Sequence, residues 1–272
     1  MFLCFAIAAS VVGMGSDPAQ TQAEQARGGL LLLLVCFLNT LVLSYLILRS
    51  RWHGVKLMAT IFIVFYGVMT VMSQIESAVF ITKLPSGVLP KLFMMGVLIA
   101  GPFSILTVLI LGKRKAAPSD EQTQRLSMPA REWAWKLGAL VLAYVILYFT
   151  FGYFIAWQNP AVREYYGGAD AGGFFAQMAD ILSNQTWLVL LQMLRGLMWI
   201  ALALPVIRML KGARWETALA MGLLFAVVMN AQILLPNPYM PETVRMTHLL
   251  ETATSNFIFG GLLGWLLYPR RA

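Results

Sequence analysis

Residues 29–48 read GLLLLLVCFLNTLVLSYLIL, a run of 20 residues without a charged side chain. The hydrocarbon core of a bilayer is about 30 Å thick and needs roughly 20 apolar residues in an α-helix, so this run predicts a transmembrane helix. The whole chain agrees with that prediction, because 59% of its 272 residues are hydrophobic and only 12% are charged. A soluble domain usually carries about 25% charged residues, so an ordinary soluble enzyme is excluded.

Six further apolar runs of this kind are bounded by charged residues, proline or glycine. With the first run they predict seven spans, at about 29–48, 57–80, 92–111, 133–157, 187–207, 215–235 and 244–268. An eighth run, 2–14, is short and fits a complete first helix, a span truncated at its start or a signal peptide. No basic residue precedes it, which favours a retained helix. The predicted fold class is an all-α polytopic membrane protein with about eight transmembrane helices, or seven if the first segment is cleaved.

The basic residues predict the orientation, because the cytoplasmic loops of membrane proteins accumulate lysine and arginine. With eight spans and a cytoplasmic N-terminus, the inner segments hold 14 of the 20 basic residues and four acidic residues, a net charge of +10, against −1 for the outer segments. Both termini are therefore predicted to be cytoplasmic. The inner basic residues are Arg49, Arg51, Lys56, Lys113, Arg114, Lys115, Arg125, Arg131, Lys136, Arg208, Lys211, Arg214, Arg270 and Arg271.

This charge distribution also limits the partners of the protein. The net charge of +8 follows from membrane topology, so it does not call for a nucleic acid. The expected partners are membrane lipids, with anionic lipid at the cytoplasmic face, and a small anionic or lipid-like ligand. The expected location is a bacterial-type cytoplasmic (inner) membrane, which the chain crosses several times.

A shift of 157 positions superimposes the second, third and fourth predicted spans on the sixth, seventh and eighth. Arg51 then falls on Arg208, although most other matches are leucine on leucine. The register predicts two four-helix halves of like orientation, 1–111 and 133–272, joined by a polar cytoplasmic linker at 112–132. Parallel repeats of this kind occur in transporters. The alternative is chance, because any even set of equal spans aligns in this way.

Two local patterns in the second half predict how its helices are arranged. The outer loop 158–186 is long, and apolar residues recur at helical spacing in 173–183, which predicts a short amphipathic helix that either covers a cavity or only packs at the interface. On the last span, Gly260 and Gly264 are four residues apart, a spacing that lets another helix pack closely.

Ionisable side chains inside the predicted spans are the candidate functional residues, because a charge in hydrocarbon is costly. By helical rise, Arg195 lies about 12 Å, His248 about 10 Å and Glu251 about 15 Å from the outer edge, and Glu76 lies near the outer boundary. Polar neighbours extend this set in the extracytoplasmic half. The predicted intramembrane polar cluster consists of Arg195, His248, Glu251, Glu76, Asn230, Gln232, Arg245, Ser255 and Asn256.

Two interpretations of this cluster remain open. In the structural interpretation, Arg195 pairs with Glu251 or Glu76, and the other polar groups form hydrogen bonds between helices. In the functional interpretation, an outward-facing cavity contains Arg195 as an anion-binding group, while Glu251 and His248 exchange protons. The chain lacks GxxxxGK[ST], GxGxxG, HExxH and GxSxG motifs, so no catalytic residue, metal ligand or cofactor is assigned.

Three functional hypotheses follow from the sequence. The first is a small transporter or permease-like protein with an extracytoplasmic polar cavity, which the repeat and the intramembrane charges favour. The second is an intramembrane enzyme that acts on a lipid or lipid-linked substrate, with Glu251 or His248 as the general base. The third is a noncatalytic membrane subunit or assembly factor in which the polar groups only specify packing.

Overall fold

The computed structural model of the chain describes residues 1–13, 21–81, 84–115, 128–168 and 172–268. In these ranges the regular secondary structure is helical, apart from one antiparallel bridge between Ser50 and Leu210. Their helices, each taken with any π-helical or 3-10 turn that continues it, are α1 Phe2–Val12, α2 Gln22–Leu48, α3 Gly54–Phe80, α4 Val88–Ile110, α5 Ala130–Ala156, α6 Pro160–Tyr166, α7 Phe174–Asn184, α8 Thr186–Met209, α9 Arg214–Leu234 and α10 Glu242–Leu266.

Six of the described helices, α2, α3, α4, α5, α8 and α9, are long and apolar enough to cross a membrane. The prediction of an α-helical, multi-pass membrane protein is therefore confirmed at this level. α1 has only 11 residues, and the 25-residue α10 carries the charged residues Glu242, Arg245 and Glu251. The span count of eight and the orientation stay predictions.

The predicted boundaries shift by a few residues at several helices. α2 begins seven residues before the apolar run because Thr21 and Glu24 form a capping box that starts the helix in polar sequence. The predicted amphipathic helix is confirmed as α7, which begins one residue later than expected. α5 starts at Ala130, inside the predicted linker, and residues 116–127 of that linker lie outside the described residues.

α9 and α10 make the most extensive contact between two of the described helices. Gly260 lies against the carbonyl group of Met221, and Gly264 lies one turn further along against Ala218. A Cβ atom at Gly264 would be 2.9 Å from the Cα atom of Ala218, so the two backbones touch. The spacing of these glycines therefore marks a packing seam, as predicted from the sequence.

Helices of the two predicted halves cross in matching pairs. α2 packs against α9, and α3 packs against α8. The loops after α2 and α8 meet through two backbone hydrogen bonds: the N–H of Arg51 donates to the carbonyl of Met209, and the N–H of Lys211 donates to that of Arg49, both at 2.7 Å. An ion pair of 2.8 Å from Arg49 to Glu216 of α9 adds to this junction.

The helix ends that are predicted to be cytoplasmic lie together in the structure. Lys113, after α4, donates to the carbonyl of Ser50 at 2.8 Å. At the end of α10, the carbonyl of Trp265 accepts a hydrogen bond of 2.7 Å from Arg214, the first residue of α9. These contacts agree with a topology in which the ends of α2, α4 and α10 and the start of α9 lie on one side of the membrane.

Of the helices in the described ranges, three contain a turn of π-helix, at 67–71 in α3, 152–156 in α5 and 224–228 in α9. A π-helical turn widens the helix and redirects backbone carbonyl groups. Side-chain amides bind two of them: Asn230 donates to the carbonyl of Ala226 at 2.9 Å, and Gln232 donates to that of Met69 at 2.8 Å. The two amides therefore stabilise irregular turns that face other helices.

The seam between α9 and α10 leads to a stability prediction. We expect Gly260→Ala to lower the free energy of unfolding by about 1–3 kcal/mol, because the added methyl group overlaps the Met221 carbonyl and the helices must separate. The measurement is the thermal unfolding midpoint in detergent micelles.

Gly261→Ala is the matched control for this substitution. Its nearest neighbour across the seam is the carbonyl oxygen of Ala218, 3.9 Å from the position of a Cβ atom, which is ordinary contact distance. We expect no loss of stability from this change. Equal midpoints for the two variants would contradict the close approach of α9 and α10 at Gly260.

Candidate functional site

Arg195 forms a buried ion pair with Glu76. Its side chain is 1% exposed in α8, and its Nη2 atom lies 2.5 Å from Oε1 of Glu76 in α3. Nη1 donates to Oε1 of Gln192, one helical turn away, at 2.8 Å. Of the two partners expected from the sequence, Glu251 and Glu76, the structure places Glu76 on Arg195. The ion pair joins α3 to α8, one of the crossings between the two predicted halves.

Two tyrosines of α5 cover the Arg195 guanidinium. Tyr144 and Tyr148 are four residues apart and therefore project from one face of the helix. The centres of their rings lie 5.9 Å and 6.0 Å from the guanidinium carbon, within the range of cation–π attraction. Gly196, the residue after Arg195, packs against Tyr144 on the same side, since a Cβ atom there would be in ordinary contact with the Tyr144 side chain at 3.4 Å.

His248 is held between a carboxylate and a phenol. Its Nδ1 atom lies 2.7 Å from Oε2 of Glu251, three residues later on α10. Its Nε2 atom lies 3.1 Å from the hydroxyl oxygen of Tyr166 at the end of α6. A carboxylate on one ring nitrogen fixes both the tautomer and the orientation of an imidazole. The result is a hydrogen-bonded chain from Tyr166 through His248 to Glu251.

The short helix α6 places Tyr166 over α10. Asn159 caps α6 by accepting a hydrogen bond from the N–H of Ala161, and its amide nitrogen donates to the hydroxyl of Thr247 at 2.7 Å. Val162 is buried in an apolar contact with α10. Burial raises the pKa of the Tyr166 phenol, so its hydroxyl group stays protonated at physiological pH.

Both carboxylates face a common recess. This polar recess, with room for about one water molecule, is lined by Glu76, Tyr144, Leu147, Tyr148, Glu251, Thr252, Ser255 and Asn256. The π-helical turn of α5 begins beside it at Gly152, where a Cβ atom would be 3.4 Å from Oε1 of Glu251. Because Arg195 holds Glu76 and His248 holds Glu251, the recess lies between two ion-paired or hydrogen-bonded carboxylates.

The structure divides the nine predicted cluster residues into three groups. Four of them, Glu76, Glu251, Ser255 and Asn256, line the recess, and Arg195 and His248 bind its two carboxylates. Asn230 reaches the recess only through Thr252, whose hydroxyl donates to its side-chain oxygen at 2.7 Å. Gln232 lies apart, bonded to Met69 and Ser73 of α3. Among the described residues, no side-chain hydrogen bond or ion pair joins Arg245 to the other eight.

Four residues at the site were not predicted from the sequence: Tyr144, Tyr148, Tyr166 and Thr252. A signal was present for the first two, because two tyrosines four residues apart in an apolar span share one face. No signal in the sequence pairs Tyr166 with His248, since they are 82 residues apart and meet only when α6 folds over α10. Within the described ranges, no three His, Cys, Asp or Glu side chains are grouped to hold a metal ion.

Comparisons with known proteins do not add a functional assignment. The chain matches no family model, and searches of the curated proteins and of the solved structures find no similar protein. A fold alone would not determine function in any case, because one fold supports many activities. The chemistry of the polar recess is therefore the basis for assigning a function.

The ion pair between Arg195 and Glu76 generates the second stability prediction. We expect Glu76→Gln to lower the free energy of unfolding by about 3 kcal/mol, because it leaves a buried guanidinium without a carboxylate. The double variant Arg195→Met, Glu76→Met should recover most of that loss, since it removes both charges. Thermal unfolding in detergent micelles measures both effects.

Glu242→Gln is the matched control, because it makes the same change in an ion pair that is exposed on both sides. We expect a loss of about 1 kcal/mol or less from this variant. If Glu76→Gln unfolded at the same temperature as Glu242→Gln, or the double variant were less stable than the single one, the structural role of the buried pair would be wrong.

Proposed function

We propose that the protein is a small proton-coupled membrane transporter whose proton-binding group is the chain from Tyr166 through His248 to Glu251. The observation that carries this proposal is the position of His248, between a phenol and a carboxylate, with that carboxylate lining a recess. Histidine changes its charge near neutral pH, and a linked carboxylate accepts or releases a proton with it. Chains of this type form proton relays in membrane pumps and transporters.

The hydrogen-bonded side chains of Tyr166, His248 and Glu251 support two protonation states without a change of partners. With neutral His248, the Tyr166 hydroxyl donates to Nε2, and the Nδ1 proton is donated to Glu251. When a proton is added, both ring nitrogens become donors, and Tyr166 turns its hydroxyl to accept from Nε2. A proton therefore enters or leaves through rotation of one O–H bond. Glu251 then stabilises the imidazolium as its counter-ion.

Glu76 is the second carboxylate that lines the recess. Arg195 neutralises Glu76 at the ion pair, and Glu76 lines the recess together with Glu251. A water molecule between the two would connect them by hydrogen bonds. The recess is too small for an organic substrate in this conformation, so substrate binding requires a further opening between α3, α5 and α10.

The crossed packing of the helices supports a transporter rather than a fixed scaffold. The contacts of α2 with α9 and of α3 with α8 are those that a two-fold arrangement of the predicted halves would produce. The π-helical turns in α3 and α9 also begin 157 positions apart, at Gly67 and Leu224. Parallel repeats in transporters move against each other around a site at their interface. Glu76 of the first half and Glu251 of the second meet at such an interface.

Reconstitution tests the proposed function. Purified protein in liposomes that contain a pH-sensitive dye should admit protons when anions from a broad panel are added outside. We expect Glu251→Gln to abolish this proton movement, because the neutral amide removes the counter-ion of His248. Glu164→Gln, on the neighbouring helix α6, should behave as the wild type. The proposal fails if no anion causes proton movement or a thermal shift in wild-type protein, or if Glu251→Gln transports normally.

Tyr166→Phe generates a graded prediction for the same assay. Loss of one hydroxyl from the chain should slow proton movement by about 10-fold without abolishing it, since His248 and Glu251 remain. Tyr165→Phe is the control, because its hydroxyl donates to the carbonyl of Tyr239, away from His248. An unchanged rate in Tyr166→Phe would remove the phenol from the pathway.

One observation favours a second candidate, an intramembrane enzyme that acts on a lipid or lipid-linked substrate. A histidine oriented by a carboxylate is a common form of general base. Because the Nδ1 atom of His248 contacts Glu251, the nitrogen that would accept a proton is Nε2, which contacts the Tyr166 hydroxyl. Lipid analysis of a deletion strain separates this candidate from transport. A changed lipid profile that His248→Ala fails to restore would favour the enzyme. For the third candidate, a noncatalytic subunit, the double variant His248→Ala, Glu251→Gln should retain full function.

A further inference from the structure

Within the described part of the chain, Arg245 is a buried arginine that has no ion-pair partner. It lies in the first turn of α10, and the residue is only 3% exposed. Its Nε and Nη1 atoms are enclosed, and neither has a hydrogen-bond acceptor. A buried cationic group with unused donors is strongly unfavourable unless a further group binds it. Arg245 therefore differs from Arg195, whose Nη2 and Nη1 atoms are bound by Glu76 and Gln192 and which lacks an acceptor only at Nε.

The charges around Arg245 leave an excess positive charge. The nearest acidic residue on the same helix is Glu242, and its Oε1 atom is bound to Nη2 of Arg27 at 2.7 Å. Glu242 is three residues before Arg245, and these are neighbouring positions on one helix. The ion pair with Glu242 therefore brings Arg27 of α2 to the same end of α10 as Arg245.

The start of α10 supplies further donors at the same place. No side chain caps the first turn of this 25-residue helix, so its first backbone N–H groups have no side-chain acceptor. Arginine side chains in a helix point back towards the N-terminus, which directs the Arg245 guanidinium to this end. An uncapped helix N-terminus beside a guanidinium is an arrangement that binds anions.

We propose that Arg245 and Arg27, together with the first turn of α10, bind a phosphate group. A guanidinium offers two parallel N–H donors that match two phosphate oxygens, and the third and fourth oxygens remain for Arg27 and the backbone amides. The phosphate is either free inorganic phosphate or the headgroup of a phospholipid, because this end of α10 lies at a predicted membrane boundary. The site is one helical turn before His248 and does not depend on proton transport.

The test uses full-length protein in a phosphate-free detergent. Inorganic phosphate is titrated in one arm, and a short-chain phosphatidylglycerol is titrated in the other, with thermal unfolding and calorimetry as the readouts. A ligand that binds only the folded protein raises its unfolding temperature. We expect at least one arm to stabilise the wild type, and the arm that does so identifies the source of the phosphate.

Two variants act in opposite directions on this binding. Arg245→Gln should weaken it by about 10- to 100-fold, because a charge-assisted pair of hydrogen bonds is lost. Glu242→Gln should tighten it, because Arg27 is released from its carboxylate, and a gain in affinity does not arise from misfolding. Arg163→Gln is the control and should bind as the wild type; the Arg163 guanidinium donates to the carbonyl of Trp157, the residue after α5.

Without ligand, Arg245→Met should unfold at a higher temperature than the wild type, since it removes an uncompensated buried charge. The proposal is overturned if neither phosphate source binds the wild type, or if Arg245→Gln binds as tightly as Arg163→Gln. It is also overturned if Glu242→Gln weakens binding instead of strengthening it.

Discussion

An arginine buried inside a membrane protein keeps its charge, and the surrounding structure must compensate it. This constraint applies most strongly to Arg195, because its side chain is only 1% exposed. Its compensation comes from two other helices and from its own: Glu76 of α3 supplies the carboxylate, Tyr144 and Tyr148 of α5 supply ring faces, and Gln192 extends the network along α8. The position of α3 relative to α5 and α8 is thus tied to one guanidinium.

The same constraint shapes the polar recess. Glu76 is bound by Arg195 and lines the recess that it shares with Glu251. Glu251 is in turn bound by His248, which is covered by Tyr166 from α6. The chemistry of the proposed proton site therefore rests on an ion pair that does not itself exchange protons. Packing at the glycine seam of α9 and α10 fixes the opposite half of α10, so that His248 and Glu251 are carried on an anchored helix.

The sequence predicted those features that depend on one helix at a time. Hydropathy located the six apolar helices, helical spacing identified α7, and the distance between Gly260 and Gly264 identified the seam. It also selected Arg195, His248, Glu251 and Glu76, because an ionisable group in an apolar span is conspicuous in any sequence. The pairing of His248 with Glu251 follows from their separation of three residues on one helix.

Features that depend on contacts between helices could not be predicted in the same way. The choice of Glu76 over Glu251 as the partner of Arg195 is made by the packing of α3 against α8, and the contact of Tyr166 with His248 by the folding of α6 over α10. Asn230 and Gln232 looked like members of the cluster because of their depth, but they bind backbone carbonyls in π-helical turns. A π-helical turn has no simple sequence signature, so its amide partners cannot be recognised from the sequence.

The most direct test of the proposed proton site is nitrogen NMR of ¹⁵N-histidine-labelled protein in lipid bilayers. The chain has two histidines, so a His53→Gln variant assigns the signals of His248. We expect neutral His248 to carry its proton on Nδ1, facing Glu251, to gain a second proton as the pH is lowered, and to lose this tautomer preference in Glu251→Gln. A proton on Nε2 in the neutral state, or a His248 signal that ignores both pH and Glu251→Gln, would contradict the proposed proton site.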